Sequence, residues 1–167
     1  MTKIYLVISW IISLFFPRNK NIWVYAEGPL NPMLPLVHYG NKSSGIKHIY
    51  ITPYKERIPK LKANGVNAIY SYSFKAFYFI SRAKVHVICI SKTSDLHSYL
   101  SRKALIINLF HGIPTKAIGT QCINFNIGLF SNYFSNKRYK RLKKRFNRYY
   151  FLCSTSPFTQ ELFSNCF

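Results

Sequence analysis

Acidic residues are almost absent from this chain of 167 residues, which has 4 Asp and Glu against 24 Lys and Arg. Catalysis by paired carboxylates, or a calcium or magnesium site built by this chain, therefore has almost no ligands to draw on. The formal net charge of +20 predicts an anionic partner, which is nucleic acid, an anionic membrane surface or a phosphate-rich substrate. Net charge does not distinguish among these three partners, so the distinction depends on sequence motifs.

Several familiar binding patterns are also missing. The four cysteines are too far apart for a C-x-x-C motif, so we interpret them as reduced thiols of a cytoplasmic protein, with an oxidised pair as the minor alternative. The scarce acids and the cysteine spacing lead us to expect no metal site. Neither G-x-G-x-x-G nor G-x-x-x-x-G-K-[ST] occurs, so dinucleotide binding and a P-loop are not supported, and we expect no cofactor. Apolar residues, in contrast, make up 49% of the chain, which is enough for a packed core and excludes intrinsic disorder.

The longest apolar run, residues 4–16, is too short to span a bilayer. As a helix its 13 residues reach about 20 Å, against about 30 Å of hydrocarbon. It resembles a signal-peptide core, a buried core segment or a shallow anchor lying in the interface. No small-x-small cleavage site follows it, and its weakly polar stripe and cationic flanks favour the anchor. We therefore predict a membrane-associating segment over residues 1–20, contacting lipid through Trp10, Phe15 and Phe16, and a single domain over residues 21–167.

Beyond this segment, short β-rich runs alternate with longer stretches that suit helices. The predicted strands are residues 22–26, 47–52, 67–71, 85–90, 105–109 and 149–154. Most are apolar throughout, which is typical of strands covered on both faces. The predicted crossover helices are residues 54–64, 74–83 and 95–102. The sequence therefore predicts an α/β fold, a Rossmann-like parallel sheet with flanking helices.

A dense basic stretch covers residues 137–148, with eight Lys and Arg and no acid. Its apolar residues recur with helical spacing, so we predict an amphipathic cationic helix. This helix either packs its apolar stripe on the sheet or lies on anionic headgroups through Arg138, Arg141, Lys144 and Arg145. Nucleic acid is the less favoured partner, because helix-turn-helix, zinc-finger and RNP patterns are missing. We predict an anionic membrane surface as a partner and no nucleic acid.

The most informative segment is I-N-L-F-H-G-I-P-T-K-A-I-G at residues 107–119. It places His111 at the carboxyl end of a predicted parallel strand, where open α/β sheets bind their ligands. An imidazole there can remove the proton from an attacking hydroxyl, which transfer of a phosphoryl group to an alcohol requires. Gly112 permits a tight turn, and Lys116 lies within reach of a phosphate. A lone histidine is more often structural, however, so these residues alone leave both interpretations open.

Residues 110–119 resemble the W/F-H-G-[TI]-P-x-K-x-[IL]-G signature of the CDP-glycerol glycerophosphotransferase family, whose members build teichoic acids and related capsule polymers. Four shorter matches keep the order of that family: W-V-[YF] at 23–25, L-K-x-x-G-x-x at 61–67, A-K-V-x-[VI] at 83–87 and S-T-S-x-[FL] at 154–158. The resemblance covers residues 21–167.

This resemblance implies one half of a GT-B-like enzyme that moves glycerol phosphate from CDP-glycerol, or from another CDP-polyol, to a hydroxyl of an acceptor linked to polyprenyl diphosphate. It implies that His111 is the catalytic base and that the substrate-binding residues are Gly112, Pro114, Lys116, Ser154, Thr155 and Ser156. The expected location is peripheral, on the cytoplasmic face of the plasma membrane.

Two features depart from the pattern of the family. Residues 27–40 replace an Asp-Asn-Ser segment found in many members, which leaves the acceptor open. The second domain, which binds the donor, has no counterpart before Phe167, so we expect a truncated N-terminal half or a split enzyme. The alternatives are a non-catalytic basic module that binds anionic membrane or RNA, and a nonfunctional remnant. The H-G-I-P-T-K turn favours the enzyme, because a binding module does not need it.

Overall fold

The computed structural model describes residues 11, 14–28, 33–43, 45–90, 95–110, 151–154 and 156–166. The chain divides into two compact units, Met1–His111 and Gly112–Phe167. In the described residues, no helix combines the length and the apolar character needed to cross a membrane.

The first unit contains a parallel sheet with helices in its connections. Its strands are β1 (Asn19–Ala26), β2 (Lys47–Thr52), β3 (Ala68–Tyr70), β4 (Ala83–Ile88) and β5 (Leu105–Asn108). They are arranged in the order β3-β2-β1-β4-β5, and every neighbouring pair is parallel. The predicted α/β parallel fold is confirmed, and all five predicted strands of this unit occur with ends shifted by at most three residues.

The helices of the first unit match the predictions in part. α1 is Met33–Ser43, α2 is Ile58–Ala63 after a 3-10 turn at Lys55–Arg57, and α3 is Phe74–Arg82. Ser73 caps α3, because its hydroxyl accepts a hydrogen bond from the backbone N–H of Ala76 at 3.1 Å. α2 and α3 confirm two of the three predicted crossover helices.

The third predicted crossover helix, residues 95–102, is wrong. Only a single 3-10 turn forms there, at Ser98–Leu100. Side-chain hydrogen bonds hold the preceding residues instead. The Asp95 carboxylate accepts from the nearby N–H groups of Cys89 and Ile90, and His97 Nε2 donates to the distant Ser71 carbonyl at 2.9 Å. These tertiary contacts outweigh the local helix propensity.

Helix α1 was not predicted from the sequence, and it contains two residues, Pro35 and Gly40, that are unfavourable in a helix interior. Pro35 lies in the first turn of the described helix, where the missing N–H has no partner to lose. Gly40 lets α1 approach β2 closely: a Cβ at this position would lie 2.7 Å from Nε2 of His48 and closer still to its Cε1. His48 is itself buried and hydrogen-bonded to the Tyr25 hydroxyl at 2.8 Å, so it has little room to move.

Buried histidines in this unit have structural partners. His86 is fully buried; its Nε2 lies 2.9 Å from the Ile80 carbonyl and its Nδ1 lies 3.1 Å from the Ser101 hydroxyl. Because a carbonyl oxygen only accepts, Nε2 carries the proton and Nδ1 accepts from the serine. His86 therefore has a structural role. At His48, burial lowers the pKa of the imidazole below its ordinary value.

The amino edge of the sheet, where the strands begin, is connected by the Arg18 side chain. Its guanidinium donates to the carbonyl oxygens of Ile80 at 2.6 Å, Ala83 at 2.9 Å, Leu100 at 2.5 Å and Arg102 at 2.9 Å. These carbonyls belong to the end of α3, the start of β4, the 3-10 turn and the loop before β5. Burial lowers the pKa of Arg18 to about 10, which still leaves it charged at neutral pH.

The described part of the second unit comprises a short strand and a helix. They are β6 (Phe151–Leu152) and α4 (Pro157–Cys166). The strand lies inside the predicted range 149–154, and the helix follows the S-T-S segment as the family resemblance implies. Pro157 occupies the first position of α4, where proline is well tolerated.

The tight contact of Gly40 with His48 gives a stability prediction. Gly40→Ala should lower the free energy of unfolding by about 1–3 kcal/mol, because the added methyl group must displace a buried, hydrogen-bonded ring. Gly45→Ala is the matched control, since nothing lies within 4 Å of a Cβ there. Urea unfolding of the two variants measures the difference. Equal stability of both variants would contradict the packing described for α1 and β2.

Candidate functional site at the carboxyl edge of the sheet

The carboxyl ends of the five parallel strands meet at one edge of the sheet in the first unit. Polar side chains follow nearly every strand end there: Glu27 after β1, Thr52 at the end of β2, Asp95 beside the end of β4 and Asn108 at the end of β5. This edge is where open α/β sheets bind ligands, because the loops that follow the strands diverge there. We therefore take it as the candidate site.

Glu27 is the central charged group of this edge. Its carboxylate is only 4% exposed, accepts a hydrogen bond from the Thr52 hydroxyl and forms an ion pair with Arg57, which is 49% exposed. Thr52 also accepts from the backbone N–H of Tyr54 at 3.1 Å, which fixes its hydroxyl. Glu27 therefore joins the ends of β1 and β2 to the 3-10 turn that leads into α2.

Asp95 organises the end of β4. Its Oδ2 accepts from the N–H of Cys89 at 2.7 Å and from the N–H of Ile90 at 2.6 Å. Burial and, to a smaller extent, the Asp95 charge raise the pKa of the Cys89 thiol to about 11, so this cysteine is protonated and unreactive at neutral pH. The segment that follows β1 comes close to this cysteine, since a Cβ at Gly28 would lie 2.5 Å from the Cβ of Cys89.

The end of β5 leads directly toward His111 and is unusually well fixed. Asn108 is 1% exposed; its Oδ1 accepts from the N–H of Phe110 at 3.0 Å, and its amide donates to the Ile90 carbonyl at 3.4 Å. Phe110 has φ 55, a left-handed conformation that is unfavourable for a large non-glycine residue. Such conformations persist where surrounding contacts hold them and cluster at functional sites.

The carboxyl end of β3, at the opposite side of the sheet from β5, is contacted by His97. Its ring stacks edge-on against Tyr72 at 5.4 Å between centroids and lies 5.6 Å from the ring of Tyr99, while Nε2 donates to the Ser71 carbonyl. These contacts give His97 a structural role, and it directly precedes the 3-10 turn at Ser98–Leu100.

Many of the predicted site residues fall outside the described part of the chain. These are His111, Gly112, Pro114, Lys116 and Thr155 at the proposed substrate site, and Trp10, Arg138, Arg141, Lys144 and Arg145 at the proposed membrane contact. Their roles stay predictions.

The described members of the predicted set are two serines and two phenylalanines. Ser156 caps α4: its hydroxyl accepts from the Thr159 N–H at 3.2 Å, and the Ser154 hydroxyl donates to the Ser156 carbonyl at 3.5 Å. A role of these serines in binding substrate remains a prediction. Phe15 is 80% exposed, while the Phe16 ring packs edge-on against Tyr78 at 5.9 Å. No group of His, Cys, Asp and Glu suited to a metal ion occurs in the described segments.

Sequence reasoning missed the roles of Glu27, Thr52, Arg57, Asp95 and Asn108. The sequence did contain a signal for the two acids of this site. Acids are rare in the chain, and Glu27 and Asp95 follow the predicted strands 22–26 and 85–90. The partners were not predictable from spacing, because Glu27 and Arg57 are 30 residues apart in sequence.

The ion pair at Glu27 gives a testable asymmetry. Arg57→Leu should lower the free energy of unfolding by about 1–3 kcal/mol, because it leaves a buried carboxylate without its cation. Glu27→Gln should cost less, since the amide can still accept from Thr52. The double variant should therefore be more stable than Arg57→Leu alone, measured by urea unfolding. Lys62→Leu, an exposed cation on α2, is the control; if it costs as much as Arg57→Leu, the pair is not responsible.

The sequence matches the model of a known protein family. The model of the CDP-glycerol:poly(glycerophosphate) glycerophosphotransferase family matches residues 31–167. No curated protein matches the sequence significantly.

Among solved structures, the chain is similar to the wall teichoic acid polymerase TagF. All of this chain aligns with a variant soaked with CDPG for 30 minutes, at 11% identity and a TM-score of 0.64. A 15-minute soak gives 13% and 0.64, and the variant without a stated soak gives 12% and 0.62. At these identities the likeness shows the fold alone. This chain spans 46%, 45% and 45% of the three polymerase chains, less than half of each.

Proposed function

The chain belongs to the CDP-glycerol:poly(glycerophosphate) glycerophosphotransferase family, and we propose that it is the acceptor-side part of a membrane-associated glycerophosphotransferase. The donor is CDP-glycerol or a related CDP-polyol, and the acceptor is a hydroxyl on a polyprenyl-diphosphate-linked or polymeric substrate of teichoic acid or capsule synthesis. The family match, which includes the F-H-G-I-P-T-K-A-I-G segment, carries this proposal.

In the proposed reaction, a hydroxyl oxygen of the acceptor attacks the phosphorus that bears glycerol. The new P–O bond joins glycerol phosphate to the acceptor, the diphosphate P–O bond breaks, and CMP leaves with the bonding electron pair. His111 takes the proton from the attacking hydroxyl, and Lys116 places positive charge beside the phosphate oxygens. The fixed, left-handed Phe110 immediately before His111 supports this assignment, because a base must be held within reach of one proton.

Donor binding requires more than this chain in the proposal. The compared polymerase chains are about twice as long, and the family resemblance assigns the CDP-alcohol to a second Rossmann-type domain of a GT-B arrangement. We propose that a second domain, outside residues 1–167, supplies this part of the site. Reading the coding DNA downstream of the Phe167 codon in all three frames tests this directly. If no donor-binding segment is found there or in a neighbouring gene, the enzyme assignment should be withdrawn for this product.

The role of His111 is tested with the donor-binding portion present. His111→Ala should reduce CMP release by about 10²–10⁴-fold, the usual contribution of a positioned general base, while its thermal unfolding stays close to that of the wild type. His38→Ala is the matched control, because His38 is an exposed histidine on α1. Activity retained by a folded His111→Ala variant would remove His111 as the base.

We also propose peripheral attachment to the cytoplasmic face of the plasma membrane through residues 1–16. Phe15 supports this, as a large apolar side chain that is 80% exposed next to basic residues. Deleting residues 1–16 should release the protein from vesicles in a pelleting assay. The deletion keeps Pro17 and Arg18, so the hydrogen bonds of Arg18 remain. Unchanged pelleting would shift the attachment to the basic stretch at residues 137–148.

A further inference from the structure

A cleft of about 390 Å³ lies at the amino edge of the sheet, opposite the candidate site. Its position follows from its walls: Arg18 precedes β1, Lys84 is the second residue of β4 and Lys103 precedes β5. The lining residues are Leu14, Phe16, Pro17, Arg18, Lys84, Arg102 and Lys103. The cleft thus combines four cations with three apolar residues, in a volume typical of a small-molecule site.

The cations of this cleft lie apart from the acids of the first unit. Those acids are Glu27, Glu56 and Asp95, and all three follow the carboxyl ends of strands. Arg18 donates its N–H groups to backbone carbonyls, and its pKa of about 10 keeps it charged at neutral pH. Lys84 and Lys103 add positive charge to the cleft, and this charge attracts an external anion.

An apolar surface continues from the cleft along the protein. Phe16 lines the cleft and packs against Tyr78, and Phe74 lies one helical turn before Tyr78 on α3 with 92% of its surface exposed. Phe15 and Leu14 are 80% and 42% exposed beside it. A small water-soluble anion would leave this apolar surface exposed to water. The hydrocarbon chains attached to a lipid phosphate would bury it.

We propose that the cleft binds the phosphate of an anionic phospholipid, with Lys84 and Lys103 as its principal cations and Phe15, Phe16 and Phe74 against the lipid chains. This inference rests on the membrane attachment proposed above and adds the site and the headgroup charge that attachment requires. It is independent of the transferase chemistry, because its cations, Lys84 and Lys103, lie where strands begin and not at the carboxyl edge.

The test compares two double variants of the 167-residue chain that each remove two positive charges. Lys84→Gln/Lys103→Gln changes the cleft, and Lys60→Gln/Lys62→Gln changes two exposed lysines on α2 outside it. Binding is measured by co-pelleting with vesicles of phosphatidylcholine mixed with phosphatidylglycerol, and with phosphatidylcholine alone. The cleft variant should bind the anionic vesicles roughly 10- to 30-fold more weakly, and the control at most about threefold more weakly. Thermal unfolding of both variants confirms that they fold.

Each other outcome is informative. Equal weakening of both variants would show that overall charge attracts the protein to the vesicles. It would overturn the proposal that the cleft is a phospholipid site. Equal binding to neutral and anionic vesicles would support membrane attachment but contradict the proposed binding of a lipid phosphate. If inorganic phosphate at matched ionic strength raises the unfolding temperature of the wild type but not of the cleft variant, and vesicle binding is unchanged, the cleft binds free phosphate instead. No binding to either vesicle would contradict the membrane attachment itself.

Discussion

The arrangement of this domain depends on the burial of one guanidinium group. Arg18 enters the amino edge of the sheet and donates to carbonyls of Ile80, Ala83, Leu100 and Arg102, which lie 62 to 84 residues further along the chain. Carbonyls at the ends of helices and turns lack regular partners, so a single fork of five N–H groups satisfies several of them together. Without it, the end of α3 and the loop before β5 would each keep unsatisfied polar groups near the core.

Positive and negative charges of the first unit are separated along the strand direction of the sheet. The acids of the first unit lie at the carboxyl edge, where Arg57 and backbone N–H groups compensate Glu27 and Asp95. The amino edge holds only cations around its cleft. The six residues of β4 separate the two edges by about 20 Å. In the proposed function, therefore, chemistry and lipid phosphate occupy opposite ends of the same strands and do not compete for one site.

The sequence predicted the strands well and the connections less well, for a physical reason. Apolar runs such as Lys47–Thr52 form strands because both faces of the sheet are covered, and that requirement is visible in composition. Helix α1 was not predicted; it tolerates Pro35 because the position of this residue in the first turn removes the usual penalty for proline. The helix expected after Asp95 does not form, because that carboxylate binds the end of β4 rather than capping its own segment.

By itself, the sequence determined the parallel α/β class, the scarcity of acids that limits the available chemistry, and the family to which the chain belongs. Each of these depends on residue type and local spacing, which are readable along one chain. Only the tertiary structure decided that Glu27 pairs with Arg57, that Asn108 fixes a left-handed Phe110, and that Arg18 joins four segments. These contacts depend on which strand ends become neighbours in the order β3-β2-β1-β4-β5. That order follows from the burial of the whole sheet, and no local pattern encodes it.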